Sequence, residues 1–139
     1  MYKTIVVALD CGETSERVIG ALNTLKIEDQ TKIIFSHVLR DPNPELDPDR
    51  PTQSRETLYQ RVEEQLEGYQ TDFPNSQIEI ASGDPAEEII RLGNIYQADL
   101  IILGTRGLTG FKRVIEGSVS GQVVAEASCS VFVVKVSES

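Results

Sequence analysis

The residues best suited to chemistry in this sequence are glycines, a serine and an aspartate at the end of an apolar run. From Gly104 to Gly121 the stretch GTRGLTGFKRVIEGSVSG holds five of the chain's ten glycines. Within it, Gly104, Gly107, Gly117 and Ser118 follow the spacing G-x2-G-x9-G-S. The stretch follows the apolar run ADLIIL and precedes a helical pattern from about Ser118 to Ala127. Backbone N–H groups at a helix N-terminus, with the helix dipole behind them, favour an anion. A glycine at Gly117 lets that anion approach the main chain without a Cβ in the way, and Ser118 adds a hydroxyl. Val119 and Ser120 continue the same wall into the helix. Arg106, Lys112 and Arg113 are candidates to neutralise phosphate, with a solvated surface role as the alternative. The competing reading of the whole stretch is a linker whose glycines serve only turns.

Known phosphate and hydrolase motifs do not fit. The P-loop needs G-x-x-x-x-G-K-[ST], and Gly104 and Gly107 are too far apart for G-x-G-x-x-G. GSVSG superficially resembles a nucleophile elbow, but Val119 stands where that motif needs serine. The single histidine, His37, has no visible base or ligand partner and reads as a structural strand residue. No residue emerges as catalytic, and no protein ligand set for a metal is evident. Cys11 and Cys129 have neither metal spacing nor a disulfide framework, which points to a reducing compartment, the cytoplasm.

Composition narrows the class further. The chain has 139 residues, 40% hydrophobic and 25% charged, as in an ordinary globular domain. No apolar run is long enough for a membrane span, and the start MYKTIVVALD reads as a strand rather than a secretory signal. A formal net charge of −9 opposes non-specific binding to nucleic acid or to an anionic membrane. An anionic ligand must therefore be held by local geometry against the overall field.

The elements that would position these residues follow from periodicity. Continuous apolar or β-branched runs predict buried strands at Thr4–Leu9, Lys32–Val38, Asp99–Leu103 and Val131–Val136. Gln77–Ala81 alternates polar and apolar residues, as a strand nearer the sheet edge does. Thr14 or Ser15 is the expected cap of the first helix. Leu58, Val62, Leu66 and Tyr69 stripe a long second helix. Asp84, Pro85 and Glu87 spell the start of a third. Pro42, Pro44, Pro48 and Pro51, with Asp41, Glu45, Asp47 and Asp49 among them, predict a solvated loop. The order β-α-β-α-β-α-β-α-β implies one α/β domain over 1–139, with parallel strands and helices on both faces. Ligands in such sheets collect at the carboxyl ends of the strands, at a switch point. That rule selects Asp10, the loop from Leu39 and the loop from Gly104. The apolar fifth strand, if at an edge, would be protected by pairing with a second copy.

The same segments resemble the universal stress protein family over nearly the whole chain. YKTIVVALD, SHV, GDPAEEII, ADLIILGTRGLTGFKRVIEGSVSGQVV and CSVFVVK are similar to its segments in order. The G-x2-G-x9-G-S spacing is similar to that of its nucleotide-binding branch. The resemblance implies a flavodoxin/Rossmann-like open five-stranded sheet of order 3-2-1-4-5 with four helices, and a homodimer through strand five. It also implies ATP, often with a divalent ion such as Mg²⁺ or Mn²⁺. Carried over by position, Asp10 meets the adenosine side and Val38 offers backbone groups to adenine. Ala8 and Leu103 line the base or sugar pocket, Gly104 approaches the ribose, and Gly107, Gly117 and Ser118 hold phosphates. Cys11 departs from the glycine that many members carry after the aspartate. The expected role is an ATP-binding stress or signalling protein that changes state or partner with occupancy. The alternatives are a slow Mg-dependent ATPase, an AMP or cyclic-nucleotide binder, and a nucleotide-free oligomerisation module. The protein partner is not identifiable.

Overall fold

A computed structural model describes residues 2–39, 52–106 and 118–136. Five parallel strands form one sheet in the order β3-β2-β1-β4-β5. They are β1 (Thr4–Ala8), β2 (Lys32–Leu39), β3 (Ser76–Ser82), β4 (Leu100–Arg106) and β5 (Ser130–Val136). Among the described residues four helices connect them: α1 (Glu13–Thr24), α2 (Thr52–Gln70), α3 (Pro85–Ile95) and α4 (Ser118–Glu126). This is the α/β architecture that the alternation of elements and the resemblance both imply.

The sheet divides two apolar clusters, because successive strand side chains point to opposite faces. On one face Ile5, Val7, Ile33, Phe35 and Ile102 pack with Val18 and Leu22 of α1 and with Val62 and Leu66 of α2. On the other, Val6, Ile34, Ile101 and Leu103 pack with Ala86, Ile89 and Leu92 of α3 and with Val123 of α4. Continuous apolar runs in β1, β2 and β4 therefore reflect burial on both faces. β3 lies at the sheet edge and is mostly half-buried, in keeping with its alternating sequence.

Several expectations are corrected. β4 does not end at Leu103: Gly104, Thr105 and Arg106 pair with Val134, Lys135 and Val136 of β5. The glycine that looks like a loop opener is thus in the ladder, because the partner strand supplies hydrogen bonds that local composition does not reveal. Nor does Thr14 or Ser15 cap α1. The helix starts earlier, the N-cap is Gly12, and no side chain caps it. β2 also runs one residue further than expected, to Leu39. The start of α3 is as expected, with the Asp84 carboxylate accepting from Glu87 N at 3.0 Å and Pro85 in the first turn. Of the stretch Leu39–Ser54 expected as a loop, residues 40–51 lie outside the described residues, whereas Leu39 ends β2 and Thr52, Gln53 and Ser54 open α2, the helix starting directly after the last proline of the stretch.

Candidate functional site

At the carboxyl edge, between β1 and β4, the chain departs toward opposite faces and leaves a crevice. A cavity of about 640 Å³ occupies it, within the range of small-molecule sites. Its apolar wall continues the core beneath α3 and α4: Ala8, Val38, Leu103 and Val119 line it and pack on that cluster. Polar groups gather on the rim, with Asp10, Thr14, Thr105 and Ser120 among the lining residues.

The fold brings together seven of the residues singled out by sequence: Ala8, Asp10, Val38, Leu103, Gly104, Val119 and Ser120. Gly107, Gly117, Lys112 and Arg113 lie outside the described residues, as do the side chains of Arg106 and Ser118. The backbone of Arg106 closes β4, and that of Ser118 opens α4. Sequence reasoning missed His37, Ser36, Leu58 and Ile89 as parts of the wall. A signal for His37 and Ser36 was present in their position beside Val38 at a strand end. Leu58 comes from α2, and no local pattern ties that helix to the crevice.

The turn after β1 is built around Asp10. Its Oδ1 accepts from Gly12 N at 2.8 Å and from Ser15 Oγ at 3.1 Å. Cys11, between them, has φ 60°, a left-handed conformation that costs a non-glycine residue about 1–2 kcal/mol. This accounts for the glycine that the resemblance expects here. The half-buried Cys11 thiol is pushed up to about 11, first by burial and then by the Asp10 carboxylate. It is therefore a neutral group at pH 7 and a poor nucleophile.

Gly104 has a reason beyond ligand approach. A Cβ there would meet Val18 Cγ2 at 3.0 Å and Thr14 Cβ at 3.5 Å. The missing side chain lets α1 pack against β4, which holds the Asp10 turn close to the strand.

The strand ladder orients the main chain of Val38. Lys32 N donates to Lys3 O and Leu9 N donates to Ser36 O, each at 2.8 Å, so even-numbered β2 residues turn their polar groups toward β1. Val38 is the next such residue, one step past the last rung. Its N–H and C=O thus face the side where β1 has left the sheet. Among the described residues no group of three His, Cys, Asp or Glu side chains could hold a metal ion.

A five-stranded 3-2-1-4-5 sheet with a cavity at the β1/β4 switch defines a doubly wound α/β protein, its cavity at the place where such sheets collect ligands. The universal stress protein family model matches residues 1–135, and the chain belongs to that family. The stress response protein NhaX of Bacillus subtilis is 28% identical, the match covering 94% of this chain and 96% of that one. Among solved structures, hypothetical protein MJ0577 superposes with a TM-score of 0.79 at 25% identity, over 100% of this chain and 99% of that one. A universal stress protein in complex with cAMP gives a TM-score of 0.67 at 20% identity, covering 96% of each chain. The Arabidopsis thaliana family protein At3g01520, with AMP bound, gives 0.66 at 18% identity, over 96% of this chain and 91% of that one. No helix among the described residues is long and apolar enough to cross a membrane.

Proposed function

We propose that this protein binds an adenine nucleotide in the β1/β4 crevice and that occupancy changes its state or its partners. One observation carries the reading. A cavity of about 640 Å³ at the switch point joins an apolar wall to a main-chain edge at Val38 and to the start of α4. A purine is flat and apolar on its faces and polar at its rim, so it needs both kinds of surface at once. Ala8, Val38, Leu103 and Val119 take the faces, Val38's backbone takes the base edge, and Asp10 takes the ribose side. The phosphates lie toward Ser118, Ser120 and the α4 N-terminus, where Gly104, Gly107 and Gly117 complete the spacing. Relatives of the same fold hold AMP and cAMP, and both ligands share the adenosine part. We assign ATP as the ligand from the G-x2-G-x9-G-S spacing, with Mg²⁺ or Mn²⁺ coordinated by its phosphates.

The sequence offers no residue that must act as the base for phosphoryl transfer, so we read the protein as a binder rather than an ATPase. The open edge of β5 pairs, in the same reading, with β5 of a second copy. Calorimetric titration with ATP, ADP, AMP and cAMP, with and without Mg²⁺, tests the proposal. Micromolar binding of at least one is expected, ATP the tightest. Failure of all four at millimolar concentration overturns it.

A further inference from the structure

His37 does something unusual for the residue beside a strand end. Its Nδ1 lies 2.7 Å from Leu9 O. A carbonyl only accepts, so Nδ1 carries the proton and donates. In a ladder continued by one rung, the donor to Leu9 O would be Val38 N, by the same alternation that sets Lys32 N on Lys3 O. His37 takes that place with its side chain. The last backbone rung between β1 and β2 is then Leu9 N to Ser36 O, at 2.8 Å. Val38 is left with N–H and C=O both turned to the crevice, while its side chain lies on the apolar wall.

We infer that His37 is a positioning residue: by occupying the carbonyl of Leu9 it keeps the main-chain edge of Val38 open for the ligand's base. The inference rests on the adenine-nucleotide reading, because a base edge offering an acceptor ring nitrogen beside an amino donor matches N–H beside C=O. The physical need is plain. An amide and a carbonyl one rung apart at a strand end would otherwise find each other, since an unpaired pair costs more than a made bond. A side-chain donor from the neighbouring residue satisfies the carbonyl and spares the amide for the ligand. It also ties the peptide just before Asp10, so the base edge and the ribose side share one anchor.

Two variants and two readouts test this. In the free wild-type protein, the Val38 amide should exchange with solvent at least about 100-fold faster than the Ser36 amide one rung back. AMP should protect it. In His37→Leu the Val38 amide should be slow without ligand, and the AMP dissociation constant should rise about tenfold. His37→Asn, whose amide can donate from nearly the same place, should stay within about threefold of wild type. Slow Val38 exchange in the free wild-type protein overturns the inference, and that arm needs no variant to fold. So does a folded His37→Leu protein with wild-type exchange and wild-type AMP affinity. If wild type binds no adenine nucleotide, the proposed function fails. The exchange arm still decides whether His37 holds Val38's edge open.

Discussion

Two helix starts flank the crevice, and each has an aspartate with a different job. At α3, Asp84 is the N-cap itself: its carboxylate accepts from Glu87 N at 3.0 Å, and Pro85 follows. At α1 the cap is Gly12, without a side-chain bond, and the aspartate stands two residues earlier. Asp10 uses its Oδ1 on Gly12 N and Ser15 Oγ, which draws the turn inward and puts Cys11 at φ 60°. The start of α3 follows the local rules of helix capping. The start of α1 sets them aside, keeps a carboxylate on the rim of the cavity and carries backbone strain beside it. Local rules fail at the turn that lines the cavity, and strained turns of this kind cluster at functional sites.

The comparison predicts opposite outcomes for one change made at each of the two helix starts. Asp10→Ala should weaken AMP or ATP binding about 30-fold, near 2 kcal/mol, by removing a charged hydrogen-bonding group from the rim. Titration calorimetry on the folded variant measures it, and unchanged affinity would remove Asp10 from the site. Asp84→Ala should cost about 1 kcal/mol of stability, as loss of an N-cap does, and leave nucleotide affinity within about twofold. Denaturant melts check the first part. If Asp84→Ala instead lost affinity at unchanged stability, the contrast between the two helices would collapse.

The smallest effect concerns Cys11. With its thiol raised to about 11 by burial and Asp10, it holds its proton more tightly folded than unfolded. That contribution to stability is complete below the unfolded value of 9.0 and declines as pH rises from there through about 11. Alkylation by iodoacetamide, followed at this residue by mass spectrometry, should therefore accelerate with a midpoint near pH 11. A midpoint at the ordinary thiol value would mean that the turn exposes Cys11 and lacks the tight Asp10 geometry.

Much of the fold was legible because its signals are local. Val6, Val7, Ile33, Ile34, Ile101 and Ile102 alternate between two buried faces, so their runs read as two-sided strands. Gln77 to Ala81 alternates as an edge strand does, and β3 is at the edge. The candidate site was legible in part. Ala8, Asp10, Val38, Leu103, Gly104, Val119 and Ser120 converge on one cavity, as the strand-end rule and the resemblance lead one to expect. The strand order itself came from the resemblance, since parallel runs of similar composition do not announce their neighbours.

By itself, then, the sequence determined the alternation of elements, the buried runs and the start of α3. These depend on periods of two and 3.6 residues and on capping chemistry within a single turn. Only the tertiary structure decided what depends on a partner distant in the chain. Gly104 to Arg106 became strand because β5 lay alongside to bond them. α1 has no serine cap because the helix starts at Glu13, which puts Ser15 inside its first turn with the hydroxyl donating to Asp10. His37 found a side-chain partner because the carbonyl of Leu9, 28 residues away and just past the end of β1, lies within reach. In each case a hydrogen-bonding group goes to whichever partner the fold brings near, and that partner is not written beside it in the chain.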